Sequence, residues 1–162
     1  MRSNSNNTTS NKSLEQRLSI QELESTFIED LNMLGDWFLQ TEYLMELSSE
    51  MKQLKEEEKT DDTRVRNCQS GVWLLQTYEN GVIRIRADSD SFIVRGILAI
   101  IIELLDQRYP EEILTYEPLF LEQSGVKGQL TLGRVVGIAS IFQTIRQHAE
   151  DCLRERKKHD DD

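Results

Sequence analysis

The sequence fits an α+β chain: one β-hairpin set among helices, which supply most of the apolar surface. Three segments carry that expectation. Residues 72–78 and 82–86 flank Glu79-Asn80-Gly81, and Asn-Gly supports the positive φ angles of a tight hairpin turn. Residues 92–106 are apolar almost all round, which places a helix at the centre of a fold. Residues 132–156 carry Val135, Ile138, Phe142, Ile145, Ala149 and Cys152 at helical spacing, giving one continuous apolar stripe.

The other elements follow along the chain. Residues 1–19 are rich in Ser, Asn and Thr and nearly free of apolar side chains, a composition that predicts a disordered tail. The tail also lacks the apolar stretch of a secretory signal. Ser19-Ile20-Gln21-Glu22 has capping-box spacing and opens a helix through about Asn32, with Leu23, Phe27, Leu31 and Leu34 on its apolar side. Gly35-Asp36 ends that helix, and Asp36 can cap a second one carrying Trp37, Tyr43, Leu44 and Leu47. The stretch KQLKEEEKTDDTR is charged and reads as a solvated connection. After the hairpin, RADSDS offers several caps for the central helix. Pro110 stands where a first helical turn tolerates proline, with Glu111 and Glu112 favouring the same terminus. The folded domain is expected over 20–153, followed by a charged, frayed tail over 154–162.

Composition removes several function classes. Lys and Arg number 19 against 29 Asp and Glu, so the formal net charge is −10. That balance opposes a broad nucleic-acid footprint, which needs basic patches to neutralise phosphates. It favours partners that carry positive patches. The longest apolar run, 97–102, is far too short to cross a bilayer. Two cysteines among 162 residues cannot build a disulfide framework, so a reducing, cytoplasmic setting is the expectation.

The two cysteines divide by context. Cys152 falls on the apolar stripe of the last helix, where cysteine behaves as a small hydrophobe. Cys68 lies in RVRNCQSGVW, among turn-forming and small polar residues that can bring a thiol to a surface or cleft. Arg64 and Arg66 could stabilise its thiolate, the reactive species. A buried, incidental cysteine is the competing reading. A metal site finds no support, because no second Cys or His lies at ligand spacing. A Cys–His dyad is also weakly founded, since His148 lies beside the apolar stripe and reads as solvent-facing.

RVRNCQSGVWLL closely resembles the signature of the SufE/CsdE family of sulfur acceptors, of the form V-x-G-C-Q-S-x-V-W. Further matches occur in order. DWFLQTEYLMEL is similar to the family's early W-x-x-x-Y-x-x-L-I-E-L helix, with Thr41 at the tyrosine. ADSDSFIVRGILAII resembles G-D-S-D-A-x-I-V-K-G-L, PEEIL resembles the stretch after it, and LTLGRVVGIASIFQTIR resembles the start of the final helix. The resemblance spans about residues 23–150.

The resemblance implies an α+β fold in which a small antiparallel sheet is covered by helices, similar to the IscU-type scaffold. It implies a protein that takes sulfane sulfur from the persulfide of a cysteine desulfurase of the SufS/CsdA kind. The sulfur would pass to an iron–sulfur scaffold of the SufBCD kind or to another acceptor. Cys68 matches the persulfide-forming residue. Around it, Arg66, Asn67, Gln69, Ser70, Asp88, Asp90 and Arg134 are the residues expected to serve partner contact or thiolate support. Asp88 and Asp90 have two further readings, as caps of the central helix or as exposed acids facing a basic partner. The implied pyridoxal phosphate belongs to the desulfurase, so no cofactor is expected on this chain. A carried persulfide needs shielding, which an apolar pocket with a movable cysteine loop would give. The alternative is a binding adaptor that keeps the fold and docks without carrying sulfur.

The sequence departs from the family pattern at several places. Asn67 stands at the usual glycine before the cysteine, and Ala87 at the first glycine of G-D-S-D. SSEMKQL replaces L-P-x-L after the second helix. Leu132 and Gly133 occupy the Pro-x positions of the final motif, and Val136 replaces a polar residue.

Overall fold

The computed structural model describes residues 17–161. Most of the tail expected to be disordered therefore lies outside the described residues. Arg17 and Leu18 near its end are docked onto the body. Arg17 donates to the carbonyls of Glu103 and Asp106 at 2.7 and 2.6 Å, and Leu18 accepts from Arg108 at 2.9 Å.

Helix α1 spans Ile20–Leu34 and α2 spans Trp37–Glu50. Ser19 accepts from the Glu22 amide at 3.1 Å, and its hydroxyl meets the Glu22 carboxylate at 3.1 Å. Gly35 closes α1 with φ of 66°, a left-handed position open to glycine without cost. Asp36 then caps α2 through the Phe38 and Leu39 amides. The α1 face holds one feature its periodicity did not announce: Glu24 is buried. It accepts from the Tyr116 hydroxyl and from the Leu119 amide. The neutral Tyr116 hydroxyl is favoured first by its burial, then by its bond to Glu24 and the carboxylate's charge.

Strands β1 (Val72–Glu79) and β2 (Val82–Ser89) form an antiparallel hairpin with Glu79 opposite Val82. Asn80 and Gly81 have φ of 55° and 83°, so both turn residues take the left-handed values that a two-residue hairpin requires. The second strand extends to Ser89, beyond the expected end at Arg86. The connection before the hairpin is not simply solvated, as its charge suggested. Leu54 is buried, Glu56–Glu58 makes a 3-10 turn, and Glu58 grips Arg86 through both carboxylate oxygens at 2.6 and 3.1 Å. Backbone bonds from Val65 to Val72 and from Leu74 to Thr63, each 2.8 Å, lay residues 63–65 along the hairpin edge.

Helix α3, Phe92–Leu105, fills the centre: Ile97, Leu98, Ile100, Ile101 and Leu104 have no exposed surface. The cap comes from Ser91, which accepts from Val94. Neither Asp88 nor Asp90 serves as that cap. The short helices α4 (Pro110–Thr115) and α5 (Phe120–Gln123) lead through a 3-10 turn at Val126–Gln129 to α6, Leu132–Asp160. Ile138, Ile141, Ile145, Ala149 and Cys152 are its buried row, and Phe142 is partly buried. The expected frayed tail is helical through Asp160, with Arg156 paired to Glu111 on α4.

Candidate functional site

The loop between Arg64 and Gly71 is fixed at its C-terminal root. Gly71 donates to the Asp90 carboxylate at 3.0 Å and accepts from the Asp90 amide at 3.1 Å and the Ser89 hydroxyl at 2.8 Å. Within it, Asn67 adopts φ of 64°. Asparagine tolerates this region better than most L-residues, so the chain keeps the turn without the usual glycine. The turn sends the Cys68 side chain inward.

Cys68 is half-buried in a recess of about 10 Å³, close to the space of one water. Val72, Val94, Ile138 and Ile141 supply apolar walls, with Gln69, Ser70, Gly133 and Arg134 around them. The thiol sits 3.5 Å from the Gly137 carbonyl and 3.8 Å from that of Arg66. A Cβ on Gly137 would lie 3.2 Å from the sulfur, so the absence of a side chain there makes the seat. Burial pushes the Cys68 thiol up, and the Arg64 charge opposes that in part. The resting thiol is therefore favoured in its protonated form at neutral pH, half-buried against the recess.

The first turns of α3 and α6 border this recess through Val94 and through Gly133 and Arg134. Arg134 is half-buried and donates to the Ser91 hydroxyl at 3.4 Å, joining the two helix starts. Asp90 is exposed and braces the loop through Gly71. Arg66, Asn67 and Gln69 are exposed, and Ser70 is partly buried.

Asp88 is placed differently from either sequence reading. It is buried, neither a helix cap nor an exposed acid. It accepts from the Leu54 and Ser89 amides at 3.1 and 2.8 Å and lies 3.2 Å from Arg95 Nε and 3.6 Å from Lys59 Nζ. The Arg95 approach has ion-pair distance without hydrogen-bond alignment. Lys59 also stands 5.3 Å from the Trp73 ring centre, an attractive cation–π placement. Asp88 thus ties the 52–60 connection to the hairpin, and bracing of the cysteine loop falls to Asp90.

Sequence reasoning missed Gly133, Gly137, Val94 and Ile141 as parts of the site. The signal for the two glycines was present as spacing, because residues four apart share a helix face. Beside the loop runs a polar groove of about 510 Å³ between Arg64, Arg66 and Asn67 on one side and Ser140, Thr144 and His148 on the other. His148 lies 3.5 Å from the buried Cys152 thiol and is half-buried, not solvent-facing. Its burial favours the neutral ring, against the charges of Asp151 and Glu155. Among the described residues, no three His, Cys, Asp or Glu side chains are grouped to hold a metal ion, and no helix is long and apolar enough to cross a membrane.

Fold and site together define an α+β protein built around one thiol-bearing loop, seated where two helices begin. A family model described as SufE, an Fe-S metabolism associated domain, matches residues 25–149. The chain belongs to the SufE family. In three dimensions it is similar to a protein from Thermus thermophilus, titled as the solution structure of a hypothetical protein. The TM-score is 0.63 at 18% identity, covering 79% of this chain and 96% of that one.

Proposed function

We propose that this protein accepts sulfane sulfur on Cys68 from a cysteine desulfurase, stimulating that enzyme, and relays it to iron–sulfur cluster assembly. The observation that carries the reading is the seat of Cys68: a half-buried thiol over an apolar recess, on a turn anchored at Gly71. In the reaction the loop opens and the Cys68 thiol loses its proton to solvent. The thiolate attacks the outer sulfur of the donor's persulfide, forming a new S–S bond as the donor's S–S bond breaks. The donor cysteine leaves as a thiolate, and no net oxidation occurs. Closing the loop returns the loaded sulfur to the apolar side, away from reductants and oxidants. Arg64 and Arg66 favour the thiolate in the open state, while Asp90 and Arg134 hold the rim against which a partner would press.

The test is intact-mass analysis after incubation with cysteine and a desulfurase, alongside the desulfurase rate. Wild type is expected to gain one sulfur atom and accelerate the enzyme, and Cys68→Ser to do neither. Stimulation by Cys68→Ser, with no sulfur gained by wild type, would leave an adaptor and remove the carrier.

A further inference from the structure

The Cys68 recess is closed on one side by a side chain that depends on a glycine. Gln69 follows the cysteine, is exposed, and walls the recess. Its carboxamide lies directly over Gly133 in the first turn of α6. A Cβ built on Gly133 would overlap the Gln69 Cδ, Oε1 and Nε2 atoms. These are the far end of a flexible side chain, and the Gly133 position needs no positive φ. Nothing in the helix itself therefore demands glycine there. Alanine would suit the helix better, while evicting the Gln69 carboxamide, which holds the three nearest atoms.

We propose that Gly133 is a positioning residue for the thiol site: it leaves a notch in α6 into which Gln69 folds, holding the cysteine loop shut over its recess. Gly137, one turn further along α6, receives the sulfur; Gly133 receives the cover. The pair divides seating from closing, and Gln69 is the part that moves first when the loop opens. This rests on the reading of Cys68 as the reactive thiol and specifies how its access is controlled.

Alkylation of the full chain with a small thiol reagent, followed residue by residue by peptide mass spectrometry, tests it without any desulfurase. Buried Cys152 is the internal control. Gly133→Ala is expected to speed Cys68 labelling about threefold or more, as the rate follows the open population. Cys152 labelling and the melting temperature should not worsen. Gln69→Ala should speed Cys68 by a similar factor, and the double variant should add nothing further, because both changes remove one cover. Labelling of Gly133→Ala at the wild-type rate would overturn the proposal. So would parallel acceleration of both cysteines, or multiplying effects in the double variant. If the labelling pattern holds while wild type gains no sulfur from a desulfurase, the carrier reading fails and the latch stands.

Discussion

At the scale of single residues, the site turns on the opposed influences upon one sulfur. Burial raises the Cys68 thiol and Arg64 lowers it, with burial the larger. The closed seat favours the neutral thiol, so this contribution to closure is fully present below the ordinary thiol range and is lost as pH rises through the raised value. Alkylation of the resting protein should therefore be slower at neutral pH than for a free cysteine, with its midpoint displaced upward. Arg64→Ala removes the opposing charge and should displace that midpoint further upward, measured as a pH profile of Cys68 labelling. A downward move would contradict this electrostatic account. Asn67 matters in another way. Its φ of 64° preserves a turn that a β-branched residue would strain. Asn67 stood out in the sequence as the departure from the family glycine, and its left-handed backbone makes the reason physical.

Among the elements, the hairpin is held by more than its ladder. The charged connection before it delivers Glu58 to Arg86 and Lys59 to Asp88, and Asp88 also accepts the Leu54 amide. Removing one partner from a buried charge cluster leaves the others uncompensated. Asp88→Ala should cost about 3 kcal/mol, a typical loss for such a group, measured by urea unfolding. A loss within the range of ordinary surface substitutions would show that the connection is not anchored through this carboxylate. The charge of KQLKEEEKTDDTR was legible, but its pairing was not. Acidic and basic residues alternate on solvated and anchored segments alike, and only the approach of β2 distinguishes them. The hairpin turn and the helix caps at Ser19 and Asp36 were legible because their hydrogen bonds close within a few residues.

Across the molecule, α3 is the common core to which α2, the hairpin and the docked start of α1 are fitted. The fit to α2 is tight at Gly96, where a Cβ would lie 2.8 Å from the Leu44 carbonyl carbon and nearer still to its oxygen. Backbone cannot swing aside as a side chain can. Gly96→Ala should therefore lower stability by about 2 kcal/mol, within the usual range for overpacking, despite alanine's higher helix propensity. Unchanged urea unfolding would show that the two helices can separate freely. The hairpin, the central apolar helix, the long last helix and the cysteine motif could all be read from the chain alone, because periodicity, turn chemistry and local spacing specify them. Which acid braces the loop and which is buried emerged only on folding, as did the meeting of Cys152 with His148 and of Cys68 with Gly137. The room that Gly133 leaves for Gln69 to cover the thiol belongs with them. Those outcomes depend on where distant segments meet, and the meeting is set by packing α1, α2 and the hairpin against α3 while α6 packs on α4.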